Sequence, residues 1–306
     1  MSSQSLQLQI ANAPCSWGVL EFEEQAAAGY HHTRVLDEMR AAGYDGTELG
    51  DWGFMPTDPK RLQDALAARS LSLLGAFVPV RLADPDAFDA GEAAAVRTAA
   101  LLKDAGFPGA FIVLADDIAA SPERTATAGR VTDDLRLPEG ARAIFAANTE
   151  AIARAVRDAT GLRTVFHHHC ASYVETAEEI ADLMKRTDPA LLGLCLDTGH
   201  LTYAGGDPVA AAAEFGSRIW HLHLKDCSPS VAERARTNEW NYHDAVRHGV
   251  FCELGQGSVR FPAVLDALGR SGFSGWGVVE QDVLPSLGTP AASATRNRHF
   301  IRSLGF

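Results

Sequence analysis

The chain has no clustered run of lysine or arginine, no C-x-x-C pair, no low-complexity tract and no apolar stretch near the roughly 18 residues of a membrane span. Each absence excludes a class. With 27 Lys and Arg against 39 Asp and Glu, a formal net charge of −12, nothing offers the basic footprint that phosphate backbones require, so no nucleic-acid partner is expected. The five cysteines stand far apart at 15, 170, 195, 227 and 252. An odd, unclustered set reads as reduced thiols rather than a disulfide framework. Residues 1 to 9 carry no apolar leader, and the expectation is a soluble cytoplasmic protein with no membrane segment. What remains is 306 residues, 46% hydrophobic, long enough for one large core, and a small-molecule partner.

Short apolar runs alternate with longer amphipathic ones along nearly the whole chain. Strands are predicted at 8–14, 46–50, 71–78, 109–115, 163–169, 191–197, 218–226 and 275–281. Between them lie segments such as "TRVLDEMRAAG", "GEAAAVRTAALLKDAG" and "TAEEIADLMKRT", whose apolar residues recur at three and four. Several end on glycine, a common helix stop, and a last helix is expected over about 290–304. Strands alternating with helices imply parallel pairing, and eight such units predict a single (β/α)8 TIM barrel spanning residues 1–306. Two connections, 115–137 and 226–257, are too long for plain barrel turns and read as lids over the active-site face. In the second, Trp240, Tyr242 and His243 are the expected cover.

Alternate residues of a barrel strand point inward, and the alternation here segregates polar groups. Gly46, Glu48 and Gly50 share a face; so do Val165, His167 and His169; Gly193, Cys195 and Asp197; Ile219, His221, His223 and Lys225; and Trp276, Val278 and Glu280. Ionisable side chains from five strands thus meet at one end of the barrel. Buried charge must be paired or bind a cation, and mixed carboxylates and imidazoles suit a divalent metal: Mn2+, Co2+, Zn2+ or Fe2+. Asp197, His223 and Glu280 are the primary candidates, with a fourth ligand from His167, His169 or Glu175. Each residue alone has a plainer reading: an Asp before a turn caps a helix, and two alternating histidines form a core pair. It is their convergence that points to a metal.

The pieces "NAPCSWG" (12–18), "GTELGDWGFMPTDP" (46–59), "HHHCASYVET" (167–176), "LCLDTGHLTYAGGDP" (194–208), "IWHLHLKD" (219–226), "LGQGSVRFPAVLDAL" (254–268) and "GWGVVEQD" (275–282) together resemble the inosose dehydratase family of myo-inositol breakdown. That family lies within the sugar phosphate isomerase/epimerase superfamily of xylose-isomerase-like TIM barrels. The resemblance implies a lyase that removes water from a keto-cyclitol such as 2-keto-myo-inositol through an enediolate, with Mn2+ or Co2+ as cofactor and Zn2+, Fe2+ or Mg2+ as alternatives. It puts Asp197, His223 and Glu280 on metal positions, with Glu175 as the carboxylate of strand 5. Lys225 is the expected base, and His169 or His200 the donor to the leaving hydroxyl. Trp17 and Trp52 are expected to wall the ring, with Glu48, His167 and His221 toward its hydroxyls. The chain departs from the family at "HHH", where His-Pro-His is expected, and at "FCELGQG". An isomerase or epimerase on the same barrel is the alternative; a non-catalytic sugar-binding barrel is less favoured because the metal-type residues are all present, and the partner expectations include a homo-oligomer. A phosphodiesterase is not, because the ends of strands 3 and 4 read "FVPVRL" and "VLADD", without the extra histidine ligands that chemistry needs.

Overall fold

The computed structural model describes residues 6–18, 30–281 and 288–306; Asp282 of the last motif and residues 1–5 of the opening segment lie outside them. The strands are β1 (Gln7–Asn12), β2 (Gly46–Thr47), β3 (Ser72–Leu73 and Gly75–Val80), β4 (Phe111–Asp116), β5 (Arg163–His167), β6 (Leu192–Asp197), β7 (Ile219–Leu224) and β8 (Ser274–Val279). Each is followed by a helix: α1 (His32–Ala42), α2 (Pro59–Ala67), α3 (Phe88–Asp104), α4 (Glu139–Thr160), α5 (Ala177–Arg186), α6 (Pro208–Phe215), α7 (Phe261–Arg270) and α8 (Pro290–Ser303).

All pairings among β1 to β8 are parallel, and β1 pairs with both β2 and β8. The ring closes through β3. Its first two residues pair with β2 and the rest with β4. At the break, Leu74 donates its N–H to Thr47 O and accepts from Phe111 N at 3.0 and 2.8 Å. One residue therefore bridges the neighbours on both sides, as a twisted strand must in a closed barrel.

Two cores follow from strand alternation. Outward apolar side chains such as Phe166, Leu194, Leu222 and Val279 pack under the helices, while Phe111, Val113, Val165 and Cys195 fill the barrel interior. At the start of β7 the register jumps, with Leu194 opposite Ile219 and Cys195 opposite His221. Ile219 consequently belongs to the outer core and does not share the face of His221, contrary to simple alternation. The extra residue, Trp220, lies over Gly193, where a Cβ would come within 2.3 Å of the indole; only glycine accommodates it.

The two long connections are folded. Residues 115–137 include the helix Pro122–Ala126. Residues 226–257 form an excursion with helices Pro229–Thr237 and Tyr242–Arg247, closed at its base by an antiparallel pair, Asp226–Cys227 against Phe251–Cys252. Tyr242, Val246, Val250 and Phe251 give it an apolar cluster continuous with Cys170 and Tyr203. The expected lid is therefore a packed structural unit. Among the described residues, no helix is long and apolar enough to cross a membrane.

Candidate metal centre

At the C-terminal end of the barrel, β5, β6, β7 and the residue just beyond β8 bring His167, Asp197, His223 and Glu280 together, with one ligand-type atom from each lying within 4.8 Å of the others. His223 Nδ1 is 3.3 Å from Glu280 Oε1 and 3.8 Å from Asp197 Oδ2, and His167 Nε2 is 3.7 Å from the same Asp197 oxygen. None of these contacts is a well-formed hydrogen bond. Asp197 Oδ2, His223 Nδ1 and both His167 ring nitrogens are buried with no hydrogen-bond partner. Buried polar atoms are normally satisfied, so unpaired atoms on His167, Asp197 and His223, residues whose ligand-type atoms converge one from each, fit a cation.

The supporting contacts fix which atom faces that point. Glu48 Oε1 accepts from His221 Nε2 at 2.7 Å and from His223 Nε2 at 3.0 Å. With Nε2 directed at Glu48, His223 presents Nδ1 to the carboxylates, where a bound cation would displace its proton and take the lone pair, the arrangement that orients histidine ligands generally. Burial alone would raise Glu48, but His223 and His221 outweigh it and hold its carboxyl down to about 2. Burial likewise opposes charge on His223, yet Cys195, Glu280 and Glu48 raise its pKa well above the ordinary value. Asp197 serves two ends at once: Oδ1 accepts from His200 N at 2.8 Å, capping the short helix Thr198–Tyr203, while Oδ2 stays in the cluster. His168 sits behind it, its Nε2 accepting from Asp197 N at 3.1 Å.

A cavity of about 190 Å3 opens above the cluster, lined by Glu48, Phe77, Asp116, His167, His169, His223, Lys225 and Glu280 among others. Lys225 Nζ lies 3.3 Å from Glu280 Oε2 and donates to His200 Nε2 at 3.2 Å. Its stem passes over Gly199, where a Cβ would strike Lys225 Cγ at 2.5 Å. His169 Nδ1 donates to Cys170 O at 2.5 Å, and Tyr242 from the excursion donates its hydroxyl to Nε2 at 3.4 Å. Burial first, then His167, pushes His169 down to about 3.

Several expected positions move. Glu175 is not in the cluster: its carboxylate accepts from Gly129 N and Ala171 N at 2.6 and 2.9 Å, and His167 stands where a strand 5 carboxylate was expected. Trp17 is fully buried in the outer core, donating Nε1 to Glu38 Oε2 at 2.7 Å. Trp52 is 41% exposed and stacked under the Arg97 guanidinium at 4.2 Å. Neither is among the described residues lining the cavity. His221 supports from beneath through Glu48, and His200 lies under Lys225 rather than at the cavity wall. Sequence reasoning passed over Asp116 and His168. The polar last residue of an otherwise apolar "FIVLAD" strand was the signal available for the first, since barrel sites collect at strand ends.

A family model described as xylose isomerase-like TIM barrel matches residues 36–304. The chain belongs to this family. It is 31% identical to an inosose dehydratase of Geobacillus thermodenitrificans, covering 88% of each chain. To inosose dehydratase 1 of Bacillus cereus it is 29% identical, covering 96% of each. It is also 36% identical to the rhizopine catabolism protein MocC of Rhizobium meliloti, over 85% of this chain and 78% of that one. Among solved structures, IOLI protein with a binding zinc atom superposes with a TM-score of 0.72 at 15% identity, covering 97% of this chain and 98% of the other, a likeness of fold.

Proposed function

We propose that the protein is a divalent-metal-dependent carbon–oxygen lyase that removes water from a keto-cyclitol, with 2-keto-myo-inositol as the leading substrate, in inositol catabolism. The observation that carries this reading is the cluster of His167, Asp197, His223 and Glu280 at the floor of a cavity shared with His169 and Lys225, in a chain similar along most of its length to inosose dehydratases. These four side chains would hold the cation, with Mn2+ or Co2+ favoured. When bound, such a cation supplies Lewis-acid polarisation of a ketone oxygen and so acidifies the adjacent C–H.

The chain's own groups then handle two protons. Because the Cys170 carbonyl accepts from His169 Nδ1, the neutral ring keeps its lone pair on Nε2, and burial keeps the ring neutral. His169 Nε2, on the cavity wall with the Tyr242 hydroxyl 3.4 Å away, is assigned the proton α to the ketone, which the cation's polarisation of the carbonyl would make acidic enough for a weak base. Lys225, whose ammonium is favoured by Glu280 at 3.3 Å, gives a proton to the departing β-hydroxyl, which leaves as water. This exchanges the roles expected from sequence, where Lys225 was the base. Glu48 and the cavity walls restrict the ring's position and exclude water from it.

The test uses metal-loaded protein and 2-keto-myo-inositol in D2O. Ultraviolet absorbance should rise as a conjugated enol or diketone forms, with product lighter by one water and rate dependent on added Mn2+ or Co2+. Lys225→Met should stop water loss while α-deuterium exchange persists, and His169→Gln should stop both. Product of unchanged mass carrying solvent deuterium would identify an epimerase instead.

A further inference from the structure

We propose that Glu175 is a positioning residue that holds His169 in place through the backbone of Ala171. This rests on the reading of His169 as a proton-handling group. Ala171 has φ of 74°, in the left-handed region, one of three non-glycine residues there among those described. A side chain makes that conformation unfavourable, and it persists only where surrounding contacts impose it. The contact here is the Glu175 carboxylate. It is 1% exposed, and Oε2 accepts from Ala171 N at 2.9 Å while Oε1 accepts from Gly129 N at 2.6 Å.

The residue before the turn is Cys170, whose carbonyl accepts from His169 Nδ1 and whose thiol donates to His200 O at 3.2 Å. If Ala171 relaxed to negative φ, the peptide joining it to Cys170 would rotate and carry that carbonyl away from the imidazole. His169 would lose both its orientation and the contact that selects its tautomer.

Glu175 is itself anchored from behind. Arg124, 1% exposed, lies 4.0 Å from it and forms a bidentate pair with Glu179 at 2.8 and 2.9 Å. Glu179 in turn accepts from the backbone N–H of Glu175 and Thr176, both at 3.0 Å. The 115–137 segment, which supplies Arg124 and Gly129, thereby reaches the site through this carboxylate. Both Glu175 oxygens face N–H donors, so an isosteric amide would set its NH2 against one of them.

Glu175→Gln separates the possibilities. We expect it to retain one equivalent of metal by elemental analysis, KM for the keto-cyclitol within about threefold, and kcat lowered about tenfold or more. Hydrogen exchange at the Ala171 amide should accelerate. Adding Ala171→Gly, which takes the left-handed conformation without penalty, should recover most of the lost kcat. Loss of metal, a raised KM at unchanged kcat, unaltered kcat, or no recovery in the double variant would each overturn the proposal. Should Glu175→Gln fail to fold, the wild-type protein decides: the Ala171 amide must be protected like a strand amide, and exchange at an exposed-loop rate would reject the anchor. A wild type inert toward keto-cyclitols would reject the function while leaving the metal and exchange readouts to judge the anchor.

Discussion

Asp116 shows how a side chain outside the metal cluster makes the molecule sensitive to pH. It ends β4, buried, accepting from two neutral donors among the described residues, Leu82 N at 3.3 Å and Tyr173 N at 3.1 Å. Burial outweighs those bonds and pushes its carboxyl up to about 7. A folded-state pKa raised above the unfolded value means the native chain keeps a proton that the unfolded chain releases. Its contribution to stability is therefore present at low pH and lost as pH rises from about 4 to 7. Asp116→Asn carries no such proton. Urea melts of the two proteins at pH 5 and pH 8 should show wild type losing on the order of 2 kcal/mol relative to the variant across that range; a difference independent of pH would show that Asp116 does not titrate there.

The 226–257 excursion is the element that differs most from a barrel turn, and one carboxylate holds its base. Asp226 accepts from four backbone N–H groups: Cys227 and Val259 on Oδ1 at 2.8 and 3.0 Å, and Gly255 and Gly257 on Oδ2 at 2.8 and 2.9 Å. A Cβ on Gly257 would come within 2.2 Å of that side chain. Arg130, from the other long connection, donates to Trp240 O at 2.9 Å and fastens the two together. Hydrogen bonds to a charged group contribute about 1.5–3 kcal/mol each, and a buried donor left unmatched costs more. Asp226→Asn should therefore lower stability by about 2 kcal/mol or more and speed protease cleavage within 226–257, with activity falling as Tyr242 loses its hold on His169. Cleavage at the wild-type rate would mean that the apolar cluster alone seats the excursion.

At the scale of the molecule, the metal cluster and barrel closure are one event. Its four side chains come from positions 167, 197, 223 and 280, and they meet only when β5 to β8 are in register. β8 is sealed to β1 along six residue pairs, and α8 locks onto the turn between α1 and β2, where Ala294 O accepts from Tyr44 Oη at 2.8 Å and Arg298 donates to Gly43 O at 2.9 Å. A cation that binds only this assembled state stabilises it by mass action, about 2.7 kcal/mol at one hundred times Kd. Chelation should accordingly lower Tm by several degrees, with full recovery on adding Mn2+ or Co2+, and Asp197→Asn should erase the metal-dependent increment. An Asp197→Asn protein whose Tm still rises with metal would remove Asp197 from the ligand set.

The order of strands and helices, the barrel and the gathering of charge at one rim were legible because they depend on each side chain's relation to its own backbone. A period of two separates inward from outward on a strand, and 3.6 does so on a helix. Asp197, His223 and Glu280 could be placed at that rim from parity alone, and "HLHLKD" showed its polar face directly. Parity carried no information where the ladder slips, at Leu74 and at Trp220, because both breaks answer to neighbouring strands rather than to local pattern. Nor could it place side chains on loops. Glu175 was separated from His167 only by the partners waiting for it, Gly129 and Ala171; Trp17 was drawn into the core by Glu38, and the 226–257 segment became a packed unit through Asp226 and its own apolar cluster. The chain's periodicity determined which face each strand residue takes. Contacts between residues tens of positions apart decided which polar atoms were satisfied by protein and which were left facing the cavity, and that remainder is the site.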